Sequence, residues 1–185
     1  MEMFKDFRLS RGKSVLRKRQ AKLKRTRFTN NISQAKTMGV VWDASNPDDF
    51  QALSQFHQKM AERNIDVKII GFFPGKELPA KLTAIMYLTC FKKDDLNFFY
   101  KPVAQEAGQF IHTRFDILID INFNKIFPLT FISSLSLAGF KVGVFDNNGL
   151  ESPFDLMMEF NKVTDIKTYL TEVINYLELI NKNTS

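Results

Sequence analysis

The sequence predicts an α/β fold, a Rossmann-like three-layer body with a mostly parallel sheet, preceded by a basic N-terminal helix. Three observations carry this reading. Short apolar runs at 38–42, 67–73, 115–121 and 140–145 alternate with amphipathic stretches. Those runs are apolar almost throughout rather than at every second residue, the pattern of strands covered on both faces. Finally, 12 of the 26 Lys and Arg residues fall within the first 36 positions, beside only two acids, Glu2 and Asp6. A cationic arm therefore precedes a mildly acidic body.

Taken in chain order, the arm at 5–27 has no Pro and a single Gly, Gly12. From Lys13 onward it is built of good helix formers. Leu9, Leu16 and Leu23 recur every seven residues, with Val15 beside the second, giving a narrow apolar seam on a cationic rod. So thin a seam does not hold a helix in water, so the helix is expected to dock on the body or on a partner. A polar linker at 29–33 follows. The expected division is 1–36 as arm and linker and 37–185 as one α/β domain.

The first body strand, 38–42, ends at Asp43. Ser45 or Asn46 can then cap a helix, with Pro47 at its first position and Asp48 and Asp49 complementing its dipole. Phe50, Leu53, Phe56 and Met60 mark one helical face. The second strand, 67–73, closes at Pro74 and Gly75. Between 77 and 100 the pattern is ambiguous: Leu82, Ile85, Met86 and Leu88 fit a helix or a strand, and 97–100 reads as a strand before Pro102. A helical turn near 103–109 precedes the central strand, 115–121. The helix at 128–138 turns Leu129, Ile132, Leu135 and Leu137 inward and ends at Gly139. A strand at 140–145, a loop at 146–149 and a strand at 154–160 follow. The closing helix, 165–182, presents Ile166, Tyr169, Leu170, Val173, Ile174, Leu177 and Ile180 on one face.

Composition narrows the functional classes. Without the arm, roughly 150 residues remain, one domain with a core of its own. The single cysteine, Cys90, excludes an internal disulfide and any zinc site built on several thiolates. It fits a reducing, cytoplasmic setting. No 18-residue apolar run occurs, and no apolar signal segment opens the chain. The Arg-rich, acid-poor start imitates a mitochondrial presequence, but it carries few serines and unusually dense charge.

In open parallel sheets, ligands bind beyond the carboxyl ends of the strands. Asp43, Ser45, Asp120, Asn122 and Asp146 fall there and form a possible ligand rim for a ribose, sugar or metal. The same residue types also cap helices and make turns at strand ends. The exit of the first strand carries three acids and no glycine, which disfavours a pyrophosphate. Neither G-x-G-x-x-G nor a Walker sequence occurs. Gly71 to Lys76 resembles a phosphate loop in composition only. His57 and His112 read as surface residues, and Ser133 and Ser134 lie in a helix with no visible base. Asp116 and Asp120 stand at opposite ends of one strand, too far apart for a dyad. Cys90 has Lys92 and Lys93 nearby, which can lower a thiol pKa. No catalytic residue, cofactor or metal is expected.

The arm gives the stronger signal. Arg11, Lys13, Arg17, Lys18, Arg19, Lys22, Lys24, Arg25 and Arg27 surround a helix, so several can reach phosphates together. RNA or the ribosome is the expected partner. An anionic membrane surface is the weaker reading, since the seam between Leu9 and Leu23 has no Trp or Phe. A small ligand-binding or sugar-nucleotide-type enzyme domain using the rim is the alternative from another class.

The run Phe115-Asp116-Ile117-Leu118-Ile119-Asp120, with Pro128-Leu129-Thr130-Phe131-Ile132 and Ala138-Gly139-Phe140-Lys141-Val142-Gly143, resembles an uncharacterised family of short bacterial α/β proteins. This domain of unknown function also begins with a basic helix. Lys68-Ile69-Ile70-Gly71 and Asn175-Tyr176-Leu177-Glu178-Leu179-Ile180 extend the likeness over most of the chain. It implies the fold and a bacterial, cytosolic setting, and it transfers no catalytic residue. A looser similarity runs to the sugar-nucleotide half of heptosyltransferase-like enzymes, whose two-domain cleft needs about twice this length.

Overall fold

Six parallel strands form one sheet in the order β3-β2-β1-β4-β5-β6. The fold is that of a computed structural model describing residues 2–28, 31–145, 152–160 and 164–180. The strands are β1 (Thr37–Asp43), β2 (Asp66–Phe73), β3 (Leu88–Lys92), β4 (Ile117–Ile121), β5 (Phe140–Val144) and β6 (Leu156–Met158). The helices are α1 (Glu2–Gln20), α2 (Phe50–Glu62), α3 (Gln105–His112), α4 (Phe127–Leu135) and α5 (Ile166–Leu179). The strand order reverses between β1 and β4, where Val41 pairs with Asp120 and Trp42 with Ile121.

The two faces of the sheet are covered differently. On one, Val40, Ile69 and Ile119 pack under Leu53 and Phe56 of α2 and Tyr169 and Val173 of α5. On the other, Val41, Ile70 and Leu118 meet Phe110 of α3 and Leu129 and Ile132 of α4. This is the three-layer α/β body that continuous apolar runs predict. Asn46 opens the first crossover as expected, its side chain accepting from the Asp48 N–H, but a 3-10 turn (Pro47–Asp49) precedes α2.

Helix α1 adds a fourth layer. Helix α4 is buried on all sides, because Leu129 and Ile132 face the sheet while Phe127, Phe131 and Leu135 face outward onto Leu16. A helix apolar all round needs a second cover, and α1 supplies it. The approach is close at Gly12, where a Cβ would lie 2.5 Å from the Phe99 carbonyl oxygen and 2.8 Å from the Phe127 ring. Arg8 fastens the same end: its Nε donates to the Phe98 carbonyl at 2.6 Å, and its guanidinium stacks on Phe98 and Tyr100. Gly12→Ala is therefore expected to lower stability by about 1–3 kcal/mol through overpacking. An undocked helix would instead gain roughly 1 kcal/mol of propensity from the same change. The sign of the shift in the urea midpoint decides which holds.

Three local expectations are corrected. Residues 97–100 are a turn, not a strand, because the Asn97 carboxamide oxygen accepts from the N–H groups of Phe99 and Lys101. The strand in the ambiguous stretch is β3, paired with β2 from Leu88 to Lys92. The basic helix stops at Gln20 rather than continuing to Arg27. Beyond it Lys22 and Leu23 close 3-10-type turns, and the chain then runs non-helically across the body. Propensity yields here to a tertiary contact, since Arg25 is drawn onto β5 and the residues before β6. The loop at 146–149, with Asp146, and the end of the closing helix at 181–182 lie outside the described residues.

Candidate functional site

The predicted cations divide into two groups. Arg25 is buried: its guanidinium makes a two-pronged ion pair with Asp155, both contacts at 2.7 Å, and also donates to the carbonyls of Ala138 and Gly139. Arg27 stands 3.6 Å from the same carboxylate but is exposed. Burial alone would raise the Asp155 carboxyl; the Arg25 hydrogen bonds, the Lys141 N–H and the charges of Arg25 and Arg27 outweigh it and hold the group below its ordinary value. Arg25 thus belongs to the fold rather than to a binding face.

Arg11, Lys13, Arg17, Lys18, Arg19, Lys22 and Lys24 are all exposed. None of these seven forms an ion pair with a carboxylate among the described residues. Arg11 lies over the Phe7 ring and Arg19 over Phe131. Lys101 shows the crowding of positive charge, its amine lowered first by burial and then by the Arg19 charge. Helical periodicity of about 3.6 residues separates two faces of α1. Phe4, Phe7, Arg11, Val15 and Lys18 share an outward stripe, all exposed. Leu9, Gly12, Leu16 and Gln20 turn toward the body, and the side chains of Lys13 and Arg17 flank that docking face.

The predicted rim is split. Asp120 and Asn122, at the end of β4, lie in a groove of about 1290 Å3 between α1 and the carboxyl edge of the sheet. Asp43 opens instead onto a separate hollow of about 140 Å3, beside Asp49 and Asp165. The Asp43 carboxylate accepts from the N–H and hydroxyl of Ser45 and, at 2.8 Å, from Asn124. Burial, then the charges of Asp48 and Asp43, raise the Asp49 carboxyl. Among the described residues no group of three or more His, Cys, Asp or Glu is placed to hold a metal. These hydrogen bonds hold Asp43 and Ser45 in the turn that leads into α2.

In the groove the polar groups form a connected set. Ser133 donates its hydroxyl to Asp120, which also accepts the Asn122 N–H at 2.7 Å. Burial raises the Asp120 carboxyl, against the Ser133 and Asn122 hydrogen bonds and the Lys125 charge. The Asn122 side chain accepts from the Ile126 N–H and donates to the Ile126 carbonyl and Thr130 hydroxyl, fixing the entry to α4. Ser133 is fully buried, so its hydroxyl orders Asp120 and is not exposed as a nucleophile. Beneath it lies Lys141, only 1% exposed, donating to the carbonyls of Ser133 and Ser134 in the last turn of α4. Burial, followed by the Arg25 charge, lowers the Lys141 amine to about 7. Periodicity marked Lys141 as an ordinary strand residue; its central place in an apolar run was the signal that it is buried.

The remaining candidates lie outside both hollows. The Asp116 carboxylate accepts from the N–H groups of Lys36 and Thr37 at the sheet entrance, far from Asp120. His57 stacks on Tyr87 at 3.6 Å between ring centroids, and exposed His112 bonds the Gly108 carbonyl. Burial pushes the Cys90 thiol up to about 12, so the nearby lysines do not activate it. No helix among the described residues is long and apolar enough to cross a membrane. No curated protein matches the chain. Residues 10–180 match the model of a family of unknown function (DUF6913), and the chain belongs to that family.

Proposed function

We propose that this chain is a non-enzymatic RNA-binding protein that holds RNA on the outward stripe of α1 and the basic segment that follows. One observation carries the reading: seven of the nine predicted cations are exposed and meet no carboxylate among the described residues. Docking through Gly12 and Leu16 leaves the stripe facing solvent. Arg11 and Lys18 supply charge there, Lys22 adds to it in the segment just past the helix, and exposed Phe4 and Phe7 offer rings on which unpaired bases can stack. Phosphate contacts of this kind give affinity that falls with salt and carries little sequence information. A cytoplasmic, ribosome-associated role in a bacterium is the setting this reading favours.

The test is fluorescence anisotropy with a labelled single-stranded RNA, on the full chain and on the Arg11→Glu/Lys18→Glu/Lys22→Glu variant. All three side chains are exposed, so the variant should fold. Its affinity is expected to fall by at least about a hundredfold at low salt. Equal binding by the two proteins, or pelleting with anionic liposomes without RNA binding, contradicts the proposal.

A further inference from the structure

The groove behind α1 differs in chemistry from the outward stripe. Five cations line it, Lys5, Lys13 and Arg17 from α1 and Lys93 and Lys125 from the body. Asp120 is the one acid among its described lining residues, and its carboxylate is already bound by Ser133 and Asn122. Leu96, Tyr100, Phe127 and Phe154 give it apolar and aromatic walls, and Thr130 and Ser134 place hydroxyl-bearing side chains in it. It reaches the ends of β2, β4 and β5, beside the strand-order reversal where open sheets take ligands. Phe127 and Pro128, at the start of α4, also line it.

We propose that this groove binds a nucleoside phosphate. Its lining calls for a ligand with a flat apolar part, a hydroxylated part and an anionic end, and a nucleotide carries all three. The groove is larger than the roughly 300–1,000 Å3 of ordinary ligand pockets, ample for a mono- or triphosphate. Phosphate is held here by cationic side chains rather than by backbone N–H groups. The missing glycine-rich turn after β1 is therefore no obstacle, because Asp43 and Asp49 face the separate hollow and Asp48 pairs with Lys81. Because α1 forms one wall, the docking of the basic helix also builds the site. The inference draws on Lys13 and Arg17, two of the seven exposed cations, but not on the outward stripe of Arg11 and Lys18, which lies on the opposite face of the helix.

Isothermal titration calorimetry of the full chain with AMP and ATP tests it, with adenosine, ribose 5-phosphate, inorganic phosphate and dodecyl phosphate as comparators. Expected is one site per chain with micromolar affinity for a nucleotide, and at least about tenfold weaker binding of every comparator. Lys13→Glu/Arg17→Glu should weaken the nucleotide at least about tenfold, whereas Arg11→Glu/Lys18→Glu should change it less than about twofold. Absence of nucleotide binding at millimolar concentration overturns the proposal. So does binding of inorganic or dodecyl phosphate as tight as that of the nucleotides, or equal weakening by the two double variants. Nucleotide binding that survives in a variant deficient in RNA binding separates this site from the outward stripe.

Discussion

Arg25→Ala is expected to destabilise the protein by about 3–5 kcal/mol, lowering Tm by roughly 10 °C. The size follows from what the truncation leaves behind. Asp155 would keep only the Lys141 N–H and the exposed Arg27 as partners, in a site where burial disfavours its charge. The Ala138 and Gly139 carbonyls would lose their guanidinium donor as well. Arg25→Lys should recover only part of the loss, since an ammonium cannot reproduce the two-pronged geometry. Thermal unfolding of the three proteins checks this. A loss below about 1 kcal/mol for Arg25→Ala would mean that the pair behaves as a surface salt bridge.

Stability is expected to rise by about 2 kcal/mol between pH 7 and pH 9, because of Lys141. Its amine has an ordinary value of 10.5 and titrates near 7 in the folded protein. Between those values the unfolded chain binds the extra proton, so raising the pH favours folding. The penalty is greatest below pH 7, where the buried amine must be charged, and it vanishes above 10.5. The window must close near pH 9, because Cys90 acts with the opposite sign. Its thiol is raised from 9.0 to about 12, so above pH 9 the folded state holds the extra thiol proton, and that loss offsets the remaining Lys141 gain. Lys141→Met removes the charge while keeping an unbranched apolar side chain, and its stability should be nearly flat over pH 7–9. The Arg25→Ala protein should show the Lys141 rise displaced to higher pH, because the Arg25 charge is one cause of the lowered value. Urea titrations at pH 7, 8 and 9 measure all three; a flat wild-type profile contradicts the assignment.

Continuous apolar runs revealed β1, β2, β4 and β5, because strands covered on both faces have no polar side to confuse the pattern. Strand β3 was hidden, since Leu88 and Phe91 are buried while Thr89, Cys90 and Lys92 are half-exposed, a pattern no single period describes. The turn at 97–100 was misread because Phe98 and Phe99 look like strand residues, whereas the Asn97 side chain bonds two backbone N–H groups. Leu9 and Leu16 of the heptad lie in the docking seam, Leu23 falls past the end of the helix, and Gly12 between the first two makes a close approach. That is visible only once Phe99 and Phe127 are placed. The charge of the arm was legible; its division among a buried pair, an outward stripe and a groove wall depends on contacts more than 100 residues apart in sequence, as between Arg25 and Asp155.

The most direct test is the dependence of RNA affinity on salt, plotted as log K against log salt concentration, for the full chain and for Arg11→Glu/Lys18→Glu/Lys22→Glu. If the outward stripe of α1 holds phosphates, the slope should shrink by about 2 in magnitude, roughly 0.7 for each of three lost contacts to a single strand. Identical slopes for the two proteins would place the RNA elsewhere and contradict the account.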